Sequence, residues 1–230
     1  MTSLRIELFE GAAWPALAAG RIQSEVARVL AERGHCSVML TGGRSAALLY
    51  AAWSGLPAFN QSPGVDFYFG DERCVAPDNV ESNYGLAMKT LFCKGVPKGC
   101  KVFRMEADDA DRELAARRYD KLLPRHMDVL LLGVGDDGHV ASLFPRSPAL
   151  KEHGRSVMPV VGPKAPHERL TITPPVISGA KRVFVLATGG VKARVLAAAL
   201  RDTDYIESLP VRLALRGTWL VDTALSETNN

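Results

Sequence analysis

Short apolar segments alternate along this chain with stretches of helical periodicity, and several of the apolar segments end in glycine. The predicted strands are Cys36–Leu40, Val65–Phe69, Asp128–Leu132, Arg182–Ala187 and Thr218–Val221. The predicted helices are Pro15–Arg33, Ala46–Trp53, Ser82–Phe92, Asp108–Leu123 and Val191–Leu200, with Ser82 and Asp108 as N-caps. Such alternation is typical of crossover connections between parallel strands. We therefore predict an α/β fold with an open, mostly parallel, Rossmann-like sheet and helices on both faces.

The size and charge of the chain narrow the classes of function. Its 230 residues are 47% hydrophobic, enough to bury one core, and we expect a single domain over residues 1–230. The net charge of +3 comes without a dense basic block, which argues against nucleic-acid binding and is compatible with a small anionic substrate. The proline-rich stretch from Pro145 to Pro175 is expected to be a long active-site loop.

Cysteine spacing and apolar patterning bear on cofactors and location. The four cysteines show no C-x-x-C spacing, so neither a metal site nor a disulfide framework is expected, and no cofactor is predicted. The N-terminus has no apolar signal region, and charged residues and glycines interrupt the apolar run Val183–Leu200. We expect a cytoplasmic protein without membrane association, as a monomer or homodimer.

Glycines stand between a predicted strand and a predicted helix at three places: 41–43, 133–135 and 188–190. In a parallel sheet these turns share the carboxyl edge, where helix N-termini present free N–H groups to anions. A fourth strand delivers Gly70-Asp71-Glu72-Arg73 to the same edge, and Lys192 follows the last turn. The convergence of these turns predicts one anion-binding site.

The segment Gly133–Pro145 adds titratable groups to that edge. His139 can exchange a proton near neutral pH, and Asp137 can orient it or balance its charge. The glycines also match G-x-G-x-x-G, the dinucleotide-binding pattern. However, Pro145 leaves room for only about two helical turns after them, and no strand ending in an acid follows at the required distance. A catalytic turn is therefore the preferred interpretation, with His139 at the start of a short helix.

Several ordered blocks resemble the 6-phosphogluconolactonase family, in the superfamily that includes glucosamine-6-phosphate deaminase. These blocks are Thr41-Gly42-Gly43, Gly70-Asp71-Glu72-Arg73 with Ser82-Asn83-Tyr84, Asp137-Gly138-His139 through Ser142-Leu143-Phe144-Pro145, Arg169-Leu170-Thr171 and Lys192-Ala193. The resemblance implies hydrolysis of 6-phosphoglucono-δ-lactone to 6-phosphogluconate in the oxidative pentose phosphate pathway. It implies His139 as the general base, Asp137 as its orienting partner and Arg73 as a group that stabilises the oxyanion or binds substrate oxygens. The implied substrate- and phosphate-binding residues are Gly42, Gly43, Arg44, Ser45, Asp71, Asn83, Arg169 and Lys192.

One block departs from the family pattern. Residues 41–46 read Thr-Gly-Gly-Arg-Ser-Ala, where the family usually has Thr-Gly-Gly-Ser-Thr-Pro. The proline that would fix the helix start is absent, although Ser45 keeps a hydroxyl. Arg44 is either an additional phosphate contact or a solvated arginine.

Three alternative functions remain open on the sequence. A glucosamine-6-phosphate deaminase also carries Asp-Gly-His, but its motif continues towards Phe-Asn-Glu-Pro, whereas Phe144 stands before Pro145 here. A serine esterase would use Ser45, but the turn lacks the last glycine of G-x-S-x-G. A sugar-phosphate sensor would keep the pocket without the chemistry, and the intact pair of Asp137 and His139 favours an enzyme.

Overall fold

A computed structural model describes residues 4–201 and 205–222 of the chain. Its strands are β1 (Arg5–Phe9), β2 (Cys36–Leu40), β3 (Val65–Phe69), β4 (Asp71–Arg73), β5 (Lys101–Val102), β6 (Val129–Gly133), β7 (Val157–Val161), β8 (Glu168–Ile172), β9 (Arg182–Ala187) and β10 (Thr218–Asp222). Its α-helices are α1 (Trp14–Arg33), α2 (Arg44–Ser54), α3 (Pro57–Asn60), α4 (Asn83–Thr90), α5 (Arg112–Asp120), α6 (Pro174–Gly179) and α7 (Gly190–Leu200). Short 3₁₀ helices cover Gly11–Ala13, Pro148–Lys151 and Pro210–Ala214.

The main sheet has seven strands in the order β1-β10-β9-β6-β2-β3-β5, and all its pairings are parallel. Alternate residues of its central strands enter two different cores: Val129 and Leu131 pack on one face of the sheet, and Leu130 and Leu132 on the other. Burial on both faces explains why these strands are continuous apolar runs. The predicted open parallel sheet with helices on both faces is confirmed. No helix of the described residues is long and apolar enough to cross a membrane.

Strand positions in the main sheet were predicted more accurately than helix starts. Three strands have the predicted bounds, and α1 ends at Gly34, whose φ of 70° stops the helix. Ser82 caps α4 as predicted, since its hydroxyl accepts a hydrogen bond from Gly85 N. The prediction that Asp108 caps the next helix is wrong. Asp111 caps α5 instead, through a 2.9 Å bond from Leu114 N to its carboxylate.

The expected helix after Gly133–Val134–Gly135 does not form. Residue Val140 instead makes isolated β-bridges with Val134 and Leu143, and Ala141 has a φ of 50°, which an α-helix cannot accommodate. His139 therefore lies in a tight turn rather than at a helix N-terminus.

The stretch between Pro145 and Pro175 contains regular structure that the prediction of one long loop missed. Strands β7 and β8 form an antiparallel pair, and β4 joins them to give a three-stranded sheet in the order β4-β8-β7. Its register places Arg73 opposite Arg169 and Asp71 opposite Thr171. This small sheet brings two distant sequence blocks together beside the carboxyl edge of the main sheet.

At the opposite edge of the main sheet, Asp128 ties β2 to β6. Its carboxylate accepts hydrogen bonds from Ser37 N and Ser37 Oγ, both at 3.0 Å, and pairs with Lys181 and Arg33. Burial alone would raise the pKa of Asp128, but the bonds from Ser37 and Lys181 and the charge of Arg33 outweigh it and lower the pKa. The carboxylate therefore satisfies donors that would otherwise be buried without a partner.

Replacing Asp128 with alanine is expected to lower the free energy of unfolding by about 2–3 kcal/mol, because the Ser37 donors lose their acceptor. The stabilisation is present above the unfolded-state pKa of about 3.9 and is lost as the pH falls through the lower folded-state pKa. Urea unfolding at pH 7 and pH 3 measures both effects. Asp78→Ala, at an exposed turn residue, is the control, and equal stability of the two variants at pH 7 would contradict the prediction.

Candidate active site

The turn after β6 holds His139 against Asp137. The imidazole Nδ1 lies 2.5 Å from Asp137 Oδ1, and the backbone N–H of His139 donates to the same oxygen at 3.3 Å. Burial alone would raise the pKa of Asp137, but the hydrogen bond and charge of His139 outweigh it and lower the pKa to about 2. An ionised Asp137 favours the tautomer with its proton on Nδ1, which leaves the lone pair on Nε2.

Gly135 makes this arrangement possible by its lack of a side chain. A Cβ at Gly135 would lie 2.0 Å from His139 Nδ1 and 2.6 Å from Asp137 Oδ1. The turn is closed by a 2.9 Å bond from Gly135 N to His139 O and a 3.0 Å bond from Gly138 N to Gly135 O. Here the glycine pattern therefore positions a histidine.

Phe144 packs against His139 and Arg169. Its ring centroid lies 4.7 Å from that of His139, and the guanidinium carbon of Arg169 lies 5.5 Å from the Phe144 ring. In the sequence, Phe144 stands out only because it precedes Pro145 where the deaminase motif differs. In the fold it connects the histidine to a buried arginine.

A small cavity of about 140 Å³ opens beside His139. Asp71, Arg73, Asn83 and Arg169 line it. Asn83 Nδ2 donates to the backbone oxygen of Asp71 at 2.9 Å and to its carboxylate at 3.1 Å. The other Asp71 oxygen accepts from Ser142 Oγ at 2.6 Å.

Two buried atoms of this cavity lack a hydrogen-bond partner among the described residues, Arg73 Nε and Asn83 Oδ1. One is a donor and the other an acceptor. Buried polar groups are normally satisfied. Asn83 Oδ1 is packed against Gly42, where a Cβ would lie only 1.9 Å from that oxygen.

Glu72 fixes Asn83 in this position. Its buried carboxylate accepts from the backbone N–H groups of Asn83 at 2.7 Å and Tyr84 at 2.8 Å, and from Ser82 Oγ at 3.0 Å. Burial raises the pKa of Glu72, although these hydrogen bonds oppose the shift. Glu72 therefore anchors the start of α4.

A larger cavity of about 720 Å³ lies on the other side of His139. The turns 42–45 and 188–189 line it together with Lys164 and Lys192. Gly43 has a φ of 92°, which only glycine adopts readily, and it directly precedes α2. Lys164, from the loop between β7 and β8, was not predicted, because no local pattern marks it.

Ser45 connects the two turns of the larger cavity. Its hydroxyl lies 2.6 Å from Thr188 Oγ1, so its hydrogen bond is made to a threonine rather than to an imidazole. This geometry does not support the serine esterase alternative, which requires a histidine beside the nucleophile.

The two cavities share the backbone of Gly42, Gly43 and residues 133–135, and His139 lines both. The predicted site residues divide between them. The small cavity contains Asp71, Arg73, Asn83 and Arg169, and the large one contains Arg44, Ser45 and Lys192. Arg169 was grouped with Lys192 in the sequence analysis, but it lines the small cavity and donates to Pro166 O at 3.0 Å.

Among residues 4–201 and 205–222, no group of three His, Cys, Asp or Glu side chains could hold a metal ion. The site as described consists of a histidine–aspartate pair, two arginines, a lysine pair and glycine-rich turns. Its polar groups suit an oxygen-rich anionic ligand.

Comparison with known proteins gives consistent matches over nearly the whole chain. Residues 11–221 match the family model described as glucosamine-6-phosphate isomerases/6-phosphogluconolactonase. A 6-phosphogluconolactonase of Streptomyces coelicolor is 39% identical over 90% of this chain and 87% of its own length. One of Mycobacterium tuberculosis is 33% identical over 96% of both chains. The solved structure of the 6-phosphogluconolactonase from Trypanosoma brucei superposes with a TM-score of 0.83 and 28% identity over 100% of both chains.

Proposed function

This chain belongs to the family of glucosamine-6-phosphate isomerases and 6-phosphogluconolactonases, and we propose that His139 is the general base of its lactonase reaction. The reaction is the hydrolysis of 6-phospho-D-glucono-1,5-lactone to 6-phospho-D-gluconate, a step of the pentose phosphate pathway. The observation that carries the proposed mechanism is the position of His139 at the junction of a small polar cavity and a larger cationic one.

The lactone ring occupies the small cavity in this proposal, and the phosphate occupies the large one. The polar side chains of Arg73, Asn83 and Arg169, which line the small cavity, then meet ring and hydroxyl oxygens of the substrate. The glycine-turn amides and Lys192 meet the phosphate. The two subsites lie on either side of His139, which places the reacting carbonyl beside its imidazole.

Hydrolysis proceeds in two steps on this arrangement. His139 Nε2 takes a proton from a water molecule as the water oxygen bonds to the lactone carbonyl carbon, giving a tetrahedral oxyanion. The ring C–O bond then breaks, and the imidazolium returns the proton to the departing ring oxygen. Asp137 stabilises the imidazolium between the two steps. The cationic Arg73 and Arg169 are the proposed electrostatic partners of the oxyanion.

Phe144 favours the lactonase reaction over deamination within the family. Its ring contacts His139 at the position where the deaminase motif carries an acid. A phenyl ring cannot transfer a proton, so the ring-opening step of an amino-sugar phosphate lacks its acid here. Lactone hydrolysis needs no such group, because the substrate is already an activated ester.

The domain organisation, binding partner, location and oligomeric state of the protein are also part of this proposal. Residues 1–230 act as one domain in this scheme, since the residues that line the two subsites come from elements between α1 and β10. The partner is a small sugar-phosphate lactone, with no nucleic acid or membrane involved, and the setting is the cytoplasm. Monomer and homodimer remain the two expected states.

The test is the disappearance of 6-phosphoglucono-δ-lactone, generated in situ from glucose 6-phosphate by its dehydrogenase. The uncatalysed hydrolysis is measured in parallel and subtracted. Acceleration by the protein supports the proposed function. Binding of 6-phosphogluconate without acceleration would instead support the sensor alternative, and release of ammonia from glucosamine 6-phosphate would support the deaminase.

Replacing Lys192 with alanine is expected to raise KM roughly 10–100-fold with little change in kcat. A contact with the substrate phosphate contributes equally to the ground and transition states, and a charged hydrogen bond is worth about 1.5–3 kcal/mol. Steady-state kinetics measure both constants. Lys101→Ala, at the exposed start of β5, is the matched control. An unchanged KM in the Lys192 variant would remove this lysine from the phosphate subsite.

A further inference from the structure

The lysine that faces the proposed phosphate subsite already has an anionic partner. Lys192 Nζ forms an ion pair with Asp136 Oδ1 at the mouth of the larger cavity. The Lys192 side chain is 16% exposed and that of Asp136 is 60% exposed. The cation is thus held inside the site, and its carboxylate partner lies on the solvent side.

The backbone holds both residues while leaving the Asp136 side chain free to turn. Lys192 lies in the first turn of α7, with its N–H bonded to Gly189 O at 3.0 Å. Asp136 lies in the turn closed by the 3.0 Å bond from Gly138 N to Gly135 O. Only side-chain rotation is needed to part the pair, and the exposed carboxylate is readily hydrated when it leaves.

Cationic side chains near Asp136 define the electrostatic environment that an incoming ligand would enter. The hydrogen bond and charge of Lys192, with the charges of Lys164 and Arg44, outweigh burial and lower the pKa of Asp136. Asp222, another carboxylate at this cavity, accepts from Gly189 N at 3.0 Å. Three cations therefore surround the one carboxylate that pairs with Lys192.

We propose that Asp136 is a resident counter-ion of Lys192 that the phosphate of the substrate must displace, and that it thereby sets the affinity of the site for phosphorylated ligands. The inference rests on the proposed function, since it takes the larger cavity as the phosphate subsite. A carboxylate competes poorly with a phosphate dianion, which carries more charge and more acceptor oxygens. A neutral hydroxyl at the same position could not displace Asp136. The residue therefore weakens binding of substrate and product alike, and it disfavours sugars that lack the phosphate.

The experiment compares the affinity of inorganic phosphate and of 6-phosphogluconate for the wild-type enzyme and four variants by titration calorimetry at constant ionic strength. The variants are Asp136→Asn, Lys192→Gln, the double variant and Glu32→Gln. Glu32 is a matched control, because it also pairs with a cation, Arg28, and lies near the end of α1 at the opposite edge of the sheet. Thermal unfolding verifies that each variant is folded, and Asp136→Ser replaces Asp136→Asn if that protein does not fold.

Asp136→Asn is expected to tighten the binding of both ligands about tenfold and to lower KM for the lactone in parallel. In the Lys192→Gln background the same change is expected to have an effect of about twofold or less, because the two residues act through one contact. Glu32→Gln is expected to leave both affinities unchanged.

Two results would overturn the inference, and they differ in what they say of the proposed function. If Lys192→Gln weakens phosphate binding while Asp136→Asn leaves it unchanged, Asp136 is not a competing counter-ion and the phosphate subsite stands. If neither change affects phosphate binding in an enzyme that hydrolyses the lactone, the phosphate binds elsewhere. The subsite and the role of Asp136 would then both be rejected.

Discussion

Replacing His139 with asparagine is expected to lower kcat for lactone hydrolysis by roughly 10²–10⁴-fold, the usual contribution of a positioned general base. Asparagine cannot take a proton from water at neutral pH, so the nucleophile must attack without assistance. Product affinity should change by less than about threefold, since the imidazole acts on the reacting water rather than on the phosphate. Steady-state kinetics give kcat, and calorimetry with 6-phosphogluconate gives the dissociation constant.

The chain offers a matched control for this variant. His35 forms a second histidine–carboxylate pair, with Nε2 3.1 Å from Asp66 Oδ2, at the start of β2 on the opposite edge of the sheet. His35→Asn should leave kcat unaltered. A His139→Asn enzyme with nearly normal kcat at pH 7 would show that another group activates the water.

Replacing Asp137 with asparagine is expected to reduce kcat by about 10²-fold or more. The carboxylate accepts the proton of Nδ1 and stabilises the imidazolium during the reaction, whereas an amide can turn its NH₂ group towards Nδ1. That orientation places the ring proton on Nε2, where it blocks acceptance of a proton from water. Asp137→Ala removes the partner altogether and should lose activity without imposing the wrong tautomer.

The pKa of Asp137 is lowered to about 2, chiefly by the hydrogen bond and charge of His139. The stability that it contributes is present above the unfolded-state pKa of about 3.9 and is lost as the pH falls towards 2. Activity lost between pH 5 and pH 7 therefore does not arise from protonation of Asp137. Measuring kcat against pH for both Asp137 variants, with Asp66→Asn as control, checks the assignment. Equal rates for wild type and Asp137→Asn at every pH would refute it.

The five inner strands of the main sheet could be predicted because burial on both faces leaves a strong signal in the sequence, whereas the more exposed edge strands β1 and β5 were missed. Strands such as Cys36–Leu40 are short apolar runs, and glycine ends α1 at a defined residue. The three-stranded sheet could not be predicted from apolar runs. Strand β4 has three residues, Asp71–Arg73, all of them charged, and β7 contains a proline. The pairing of β4 with β8 also joins segments about 100 residues apart, which local patterns do not encode.

The histidine–aspartate pair and the glycine turns were located from the sequence, but their division into two cavities was not. Arg169 was assigned to the phosphate because it is a cation in a matching block. Its pairing opposite Arg73 places it at the small cavity, whereas Lys192 lines the larger one. The roles of Phe144 and Asp136 likewise depend on which side chains they contact after folding. At such positions the residue type indicates which chemistry the side chain can perform. Only the tertiary arrangement shows which side chains it contacts.

The order of strands in the main sheet also constrains how the enzyme is made. Strand β10, near the end of the described chain, lies between β1 and β9 and supplies Asp222 to the Gly189 turn. During synthesis, β1 leaves the ribosome first and has no neighbour in the sheet until residues 218–222 emerge. One side of the sheet and the contact of Asp222 with the Gly189 turn are thus completed together once β10 has been synthesised. A nascent chain stopped before Thr218 would expose the free edge of β9 and lack the carboxylate that holds Gly189, so the same strand both protects the sheet edge from aggregation and completes the Gly189 turn.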